Sequence, residues 1–290
     1  MPRGGDGESS SRFAEASLLL ITMIWGTTFP LLRTSLEIVE PYDIIAIRFT
    51  IAAVLLGAIY GKRLIRMGRV AVRDSVVTGL FMAAGYLVQA IGLTTISSPR
   101  SAFLTGTAVV FVPFIDRFVS RLGVSSGEWI GVGLVFTGIL LFSGEAGLML
   151  RPGDLWTLAG AVAFACQVVT TNVAGRRSDT FAVSALQAAV AAAVGWIFVG
   201  ARGGLSRPLG EMPWGTLVYL GTVATAFILV LQTWALGKTK PVRAGVIYSL
   251  EPVFAAMVAM AFFAESMSWN EVIGSVAILG GVLVAELKRS

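Results

Sequence analysis

Residues 243–285 read RAGVIYSLEPVFAAMVAMAFFAESMSWNEVIGSVAILGGVLVA, and a diverged version of this stretch occurs about half a chain earlier. A shift of 143 positions, the interval between Gln89 and Gln232, aligns the two versions over about fifty residues without a gap. The identical pairs are Gln232 with Gln89, Leu236 with Leu93, Arg243 with Arg100, Phe254 with Phe111, Glu271 with Glu128, Gly274 with Gly131, and Gly281 with Gly138. The sequence therefore predicts an internal duplication.

The composition is that of a membrane protein. Of the 290 residues, 56% are apolar and only 13% are charged, and the mean hydropathy is +0.80. So few charged residues cannot provide the polar shell of a soluble globule. The net charge of +5 does not indicate nucleic acid, because the basic residues lie in short pieces between apolar runs. We expect membrane lipids and a small-molecule substrate as partners, no nucleic acid, and a monomeric chain.

The cysteine and histidine content excludes several kinds of chemistry. Cys166 is the only cysteine, so the chain cannot form an internal disulfide. Histidine is absent, which removes the commonest metal ligand and general base. Metal catalysis and Ser-His-Asp or Cys-His nucleophiles are therefore excluded, and no cofactor is expected.

Ten apolar stretches are long enough, at about 17 to 25 residues each, to cross the hydrocarbon as helices. They lie at 16–35, 42–60, 75–95, 101–119, 126–143, 154–174, 179–200, 214–236, 243–263 and 269–286. The first is too long for a signal peptide and has no small-residue cleavage site, so it is expected to remain as a span. We predict an all-α integral membrane protein with an N-terminal tail, 1–15, and two five-helix repeats, 16–143 and 154–286.

Basic residues set the predicted orientation, because Lys and Arg are retained on the cytoplasmic side. With the N-terminus inside, sixteen are cytoplasmic: Arg3, Arg12, Lys62, Arg63, Arg66, Arg69, Arg73, Arg117, Arg121, Arg176, Arg177, Lys238, Lys240, Arg243, Lys288 and Arg289. Five lie outside: Arg33, Arg100, Arg151, Arg202 and Arg207. Both termini are therefore expected in the cytoplasm. A repeat of five spans is odd-numbered, so the second copy enters from the opposite side and the repeats are predicted to be inverted.

Four short motifs mark particular spans. They are Trp25-Gly26-Thr27-Thr28-Phe29-Pro30, Arg48-Phe49, Leu250-Glu251-Pro252-Val253, and Glu265 followed by Gly274 and Gly280-Gly281. In their order and spacing the chain resembles the EamA-type transporters of the drug/metabolite transporter superfamily over nearly its whole length. The resemblance implies a ten-helix carrier of small metabolites in a bacterial inner membrane, often an exporter of amino acids, with aromatic amino acid exporters among the similar members. The first repeat departs from the second, because Ala108-Val109 replaces the Glu-Pro pair.

Polar and aromatic residues in the middle of the spans are the candidate substrate site, because the repeat symmetry brings them together. The substrate-binding candidates are Trp25, Thr28, Tyr86, Gln89, Thr107, Phe111, Phe164, Gln167, Gln232, Trp234 and Tyr248. A pocket with this lining suits an apolar or aromatic molecule held by a few neutral hydrogen bonds. The alternative for any single aromatic residue is packing or lipid contact.

Glu251 and Arg48 lie inside predicted spans, where charge is costly. Glu251 is the candidate for proton coupling or for binding a substrate amine; alternatively, it caps backbone groups that Pro252 frees. Arg48 is expected to pair with a carboxylate or to snorkel to the interface, and a structural role is favoured over a functional one.

The sequence as a whole favours a secondary transporter with alternating access and a midplane substrate site, rather than an enzyme. Two other classes, and export of other metabolites or drugs, stay open as alternatives. A membrane-embedded lipid-modifying enzyme needs a cluster of carboxylates, histidines or cysteines at one membrane face, and only Glu251 is well buried in a span. A channel or receptor needs a pore ring or a sensory domain, and neither is visible in the sequence.

Overall fold

The computed structural model describes residues 5–119, 124–142, 151–263 and 269–287, which are helical and contain no strand. The α-helices are α1 (Gly5–Ser35), α2 (Pro41–Ile65), α3 (Arg69–Leu93), α4 (Ser98–Gly106), α5 (Ala108–Val119), α6 (Ser126–Phe142), α7 (Pro152–Arg177), α8 (Thr180–Ala201), α9 (Trp214–Gly221), α10 (Ile228–Lys238), α11 (Pro241–Tyr248), α12 (Glu251–Phe263) and α13 (Trp269–Leu287). A 3-10 turn covers Leu209–Glu211, and a π-helical segment covers Thr222–Phe227. Arg3, Arg121, Glu265, Lys288 and Arg289, which the sequence singled out, lie outside the described residues.

Seven helical segments in the described part of the chain are long and apolar enough to cross a membrane. They are Ser11–Ser35, Pro41–Ile65, Arg69–Leu93, Ser98–Val119, Pro152–Arg177, Thr180–Ala201 and Trp214–Lys238. Ser126–Leu141 and Val272–Gly281 are shorter apolar helices. The all-helical architecture is confirmed. Helix α1 begins at Gly5, so the predicted tail, 1–15, is part of α1 from that residue onward.

The predicted spans 101–119 and 243–263 are both broken near their middle. Thr107 separates α4 from α5, and Ser249 with Leu250 separates α11 from α12. Leu250 is the repeat equivalent of Thr107 under the 143-residue shift, so the break falls at the same place in both halves. Irregular backbone at membrane depth is tolerated where it is buried in protein or lines a cavity.

Proline and glycine account for these breaks. Pro252 has no N–H and cannot donate to the carbonyl of Tyr248, the residue at which α11 ends. In the first half Gly106 is the last residue of α4, and glycine is a weak helix former. A Cβ atom built on Gly106 would lie only 3.5 Å from Pro252 Cγ. The two breaks therefore lie side by side.

The π-helical segment between α9 and α10 is filled by an arginine from α2. Arg48 Nη2 donates to Thr225 Oγ1 at 2.8 Å and to Ala224 O at 3.4 Å, while its Nε donates to the same hydroxyl at 3.0 Å. A π-helical turn loosens the backbone ladder, and a side chain can insert there. Arg48 is only 2% exposed and pairs with no carboxylate of the described chain. Arg48 therefore neither pairs with a described carboxylate nor snorkels to the surface, and its structural role stays a prediction.

Helices α6 and α13 cross at glycines that correspond under the repeat. A Cβ atom on Gly138 would lie 2.7 Å from Ile278 N and 2.8 Å from Gly274 O. A Cβ atom on Gly281 would lie 2.8 Å from Gly131 O. Gly138 corresponds to Gly281 and Gly131 to Gly274, so the crossing is reciprocal. Small residues allow this close backbone approach between membrane helices.

Ion pairs join the two halves near the start of α1. Glu15 Oε1 lies 3.6 Å from Arg243 Nη1 of α11. Glu128 Oε1, from the start of α6, lies 3.4 Å from Arg243 Nε and 3.3 Å from Lys240 Nζ. The Glu128 side chain is only 1% exposed, so this cluster is largely shielded from solvent.

A second inter-half pair lies near the opposite end of α1. Arg100 of α4 donates from Nε to Asp154 Oδ1 at 2.6 Å and from Nη2 to Asp154 Oδ2 at 2.8 Å. Arg33 marks this end of α1 and donates to Ile96 O, just before α4, at 3.5 Å. Glu15 and Arg33 are roughly 27 Å apart along a regular helix. The repeat-equivalent Arg100 and Arg243 thus bind carboxylates of the other half at opposite ends.

Candidate functional site

A cavity lies beside the two helix breaks and is lined by both halves of the chain. Its lining comes from α1, α3, α4, α5, α7, α10, α11, α12 and the connection before α12. The volume of the cavity is about 60 Å³. The lining residues are Trp25, Thr28, Tyr86, Gln89, Thr105, Gly106, Ala108, Val109, Val112, Phe164, Gln167, Val168, Gln232, Gly245, Tyr248, Ser249 and Glu251.

The cavity brings together most of the residues predicted from the sequence. Eight of the eleven substrate-binding candidates line it, together with Glu251: Trp25, Thr28, Tyr86, Gln89, Phe164, Gln167, Gln232 and Tyr248. The eight candidates come from α1 and α3 of the first half and from α7, α10 and α11 of the second. Their convergence is what the repeat symmetry predicts, and their role as ligands of a substrate stays a prediction.

Three predicted residues lie elsewhere. Thr107 occupies the break after α4, where its hydroxyl donates to Leu104 O at 2.6 Å. Phe111 packs, partly buried, against the largest apolar cluster of the interior. Trp234 lies edge-on to Phe13 of α1, with ring centroids 5.4 Å apart. Thr107 and Phe111 lie outside the cavity lining because the helix is interrupted at Thr107, so the residues around it do not keep the facing direction of a continuous helix. The place of Trp234 could not be predicted because the ring that it contacts, Phe13, is distant in sequence.

Glutamine side chains form the polar part of the lining. Gln89 Nε2 donates to Thr105 Oγ1 at 2.9 Å. Gln167 Nε2 donates to Gln232 Oε1 at 3.3 Å and to Thr171 Oγ1 at 3.0 Å. The hydrogen bond between Gln167 and Gln232 links α7 to α10, while Gln89 and Thr105 link α3 to α4. The amides are thus held in place, and their remaining donors and acceptors can serve a ligand.

Aromatic rings form the walls. Trp25 packs on Tyr248 with centroids 5.1 Å apart, and Tyr86 lies edge-on to Phe164 at 5.1 Å and 84°. Trp25 Nε1 is buried and has no hydrogen-bond partner among the described residues. An indole N–H that is buried usually finds an acceptor. The Tyr248 hydroxyl is likewise buried without a partner among the described residues, so the cavity offers apolar faces together with unpaired donors.

Glu251 brings a carboxylate into this lining. It is 8% exposed and stands at the start of α12. Within the described chain its side chain makes no hydrogen bond and no ion pair, so it does not cap the backbone groups near Pro252. The helix N-terminus favours a negative charge by a modest amount. That leaves the carboxylate available to a bound molecule or to a proton.

The sequence missed several lining residues, and the repeat register could have found some of them. Thr105 is equivalent to the predicted Tyr248 and Ala108 to the predicted Glu251 under the 143-residue shift, whereas Gly106 and Ser249 are equivalent to each other and neither is predicted. The others carry no polar group that would single them out from the apolar background: Val109, Val112, Val168 and Gly245.

Comparison with known proteins identifies the family. The model for the EamA-like transporter family matches residues 12–144 and, a second time, residues 151–287. The chain belongs to the EamA-like transporter family. The double match agrees with the internal duplication seen in the sequence, and membership makes this chain a multi-pass membrane transporter.

Relatives of this EamA-like transporter match it along nearly its whole length. An uncharacterized transporter of Archaeoglobus fulgidus is 28% identical over 297 residues, covering 99% of this chain and 90% of the relative. The uncharacterized transporter YoaV of Bacillus subtilis is 20% identical, covering 92% and 94%. A protein of known crystal structure is 21% identical, with a TM-score of 0.75 over 96% of this chain and 97% of the other. At this identity the last likeness shows the fold.

Proposed function

We propose that this EamA-like transporter is a secondary carrier that exports small amphipathic metabolites, with apolar and aromatic amino acids first. It works in the inner membrane of a bacterium, with both termini in the cytoplasm. Its ten spanning helices form two inverted five-helix repeats. The substrate binds in the central cavity, which opens alternately to each side.

The observation that carries this proposal is the cavity between the two halves, next to helices that are broken at repeat-equivalent positions. Its walls are aromatic and aliphatic, and its neutral polar groups include three glutamine amides and the hydroxyls of Thr28, Thr105 and Ser249. Small-molecule sites typically combine apolar walls with a few placed polar groups. An amino acid with an apolar side chain has matching chemistry.

The ion pairs at the two ends support alternating access. Glu15 with Arg243, and Asp154 with Arg100, each join the first helix of one half to the broken helix of the other. Breaking one pair while the other holds lets the halves separate at one end only. Motions of this kind move packed elements as rigid bodies around a fixed site. Glu251 is the candidate for coupling transport to a proton gradient.

Counterflow in reconstituted vesicles tests the transport proposal. Liposomes containing the purified protein and loaded with unlabelled phenylalanine should accumulate external labelled phenylalanine transiently, whereas protein-free liposomes should not. Leucine, tryptophan, aspartate and lysine in the same assay define the preferred side chain. A lack of exchange for every amino acid would contradict the proposed substrate class.

Cysteine labelling tests the orientation. In a Cys166→Ser background, a cysteine at Lys62 should be protected from an impermeant reagent in intact cells, and a cysteine at Arg207 should react. Both positions are exposed, and the bias of basic residues assigns the loop that contains Lys62 to the cytoplasm. Reaction at position 62 without reaction at position 207 would reverse the topology.

The glutamines test the cavity as the substrate site. Gln89→Ala and Gln232→Ala should each weaken phenylalanine binding by about 1 to 2 kcal/mol, or about 5- to 30-fold, because a hydrogen bond to a charged ligand is lost. Gln187→Ala is the matched control, since Gln187 is also fully buried but faces Thr233, outside the cavity lining. Binding measured by isothermal calorimetry should be unchanged in the control. Equal effects of all three substitutions would point to a general loss of structure.

A further inference from the structure

Glu251 and Arg48 are buried ionisable groups of opposite type at the cavity, and neither has a counter-ion among the described residues. Glu251 lines the cavity and makes no ion pair within the described chain. Arg48 lies behind Tyr86, with its Cζ atom 4.6 Å from the centre of that ring. Tyr86 itself lines the cavity. Glu251 belongs to the second half of the duplicated chain and Arg48 to the first.

The surroundings of Arg48 are neutral. Its guanidinium donates to Thr225 Oγ1 and Ala224 O and lies over the rings of Tyr86 and Phe49. These contacts hold the group in place but cancel none of its charge. A cation attracted to an aromatic face also polarises that ring. In a low-dielectric interior the positive charge therefore acts across Tyr86 into the cavity.

Holding both groups in their charged forms without a partner is costly, because burial of an ion removes its hydration. A ligand with one positive and one negative group compensates both at once. A ligand with a single charge compensates one and leaves the other. The separation of the two charges by the Tyr86 ring also gives the ligand a preferred direction.

We propose that the cavity is a dipolar site that selects zwitterions, with the ligand amine at Glu251 and its carboxylate on the Tyr86 wall, in the field of Arg48. Glu251 contacts the ligand. Arg48 is a positioning residue that acts through Tyr86. This inference rests on the proposed function and narrows it, because a dipolar site excludes simple amines, simple acids and uncharged drugs.

Three ligands with the same phenyl group test the proposal: L-phenylalanine, 2-phenylethylamine without the carboxylate, and 3-phenylpropionate without the amine. Binding to the purified protein in detergent is measured by isothermal calorimetry. Phenylalanine should bind the parent at least tenfold more tightly than either analogue, as expected when one charge-assisted contact is lost.

The variants should change the preference in opposite directions. Glu251→Gln should weaken phenylalanine and 2-phenylethylamine at least tenfold and leave 3-phenylpropionate within about threefold of the parent. Arg48→Met should weaken phenylalanine and 3-phenylpropionate and spare 2-phenylethylamine. Arg48→Lys keeps the charge and should keep the parental order of the three ligands, which separates charge from structure if Arg48→Met folds poorly.

Each result supports or overturns the assignment. Equal affinity of the three ligands for the parent would overturn the dipolar site and leave amino-acid transport standing. A uniform loss for all three ligands in Glu251→Gln, with loss of pH-gradient stimulation in vesicles, would make Glu251 a proton site and overturn the amine assignment. If none of the three ligands binds and no amino acid shows counterflow, the proposed function fails together with this inference.

Discussion

Arg100→Met is expected to open one end of the transporter. Asp154 is fully buried, and the Arg100 guanidinium holds both of its oxygens. Removing one partner of a buried pair leaves an uncompensated charge, at a typical cost of about 3 to 5 kcal/mol. In the variant this free-energy cost destabilises only the conformation in which α4 and α7 are in contact, because Asp154 is buried there. The population should therefore shift by about 100-fold or more toward a state in which that end is open to water.

A cysteine in the cavity lining reports the opening. In a Cys166→Ser background, Thr28→Cys should react at least tenfold faster with an impermeant thiol reagent from outside when Arg100→Met is present. Arg63→Met is the control. Arg63 Nη1 lies 2.7 Å from Asp179 Oδ2, a distance similar to that in the Arg100–Asp154 pair, but both of these side chains are about half exposed. Exposed pairs contribute about 0 to 1 kcal/mol, so the control should label like the parent.

The other end gives the reciprocal experiment. Arg243→Met removes the ion pairs to Glu15 and Glu128, while Lys240 still compensates Glu128. Its effect should be smaller, and it should increase labelling from the cytoplasmic side in inverted vesicles. If Arg100→Met and Arg243→Met both leave labelling unchanged, the ion pairs do not control access.

The duplication made much of the candidate site predictable. Gln89 and Gln232 are identical residues related by one shift, and both line the cavity. Two related positions that each lie in mid-span converge when the halves pack about a common axis. The prediction has a physical basis, because equivalent positions in the two repeats lie at similar depths in the membrane and on corresponding faces of their helices.

Helix breaks are the reason that other parts of the candidate site could not be predicted from the sequence. Thr107 and Ser249 lie in apolar runs that look continuous, because hydropathy measures composition and not backbone geometry. Repeat symmetry predicts Phe111 in the site through its equivalence with Phe254, but the break at Thr107 lies just before it and Phe111 packs against the apolar interior. The site candidates that do not line the cavity are those at or just after a helix break, Thr107 and Phe111, and Trp234, whose aromatic partner is distant in sequence.

The sequence also does not predict which charged residues pair across the two halves. The equivalence of Arg100 and Arg243 was evident, but their carboxylates, Asp154 and Glu15, come from the opposite halves. Arg48 was expected to find a carboxylate or the interface, and it instead fills a π-helical turn in another predicted span. Pairing across helices depends on how they pack, and local sequence does not encode that directly.

Gly138→Val is expected to destabilise the protein strongly through the crossing of α6 and α13. A Cβ atom at this position would meet two backbone atoms, Ile278 N at 2.7 Å and Gly274 O at 2.8 Å. Backbone atoms in a helix cannot turn aside as a side chain can, so the two helices must separate. Overpacking in a dense interior typically costs about 1 to 3 kcal/mol, and a clash with backbone belongs at the upper end.

Gly133 provides a matched control on the same helix. A Cβ atom there would meet nothing within 4 Å, so Gly133→Val makes the same change of residue without a clash. The melting temperature in detergent should fall by several degrees for Gly138→Val and stay close to the parent for Gly133→Val. Gly281→Val, which directs its Cβ atom at Gly131 O at 2.8 Å, should match Gly138→Val. Because both substitutions strain one crossing, the double variant should lose less stability than the sum of the two. Equal melting of the Gly133 and Gly138 variants would show that the two helices do not need this close approach.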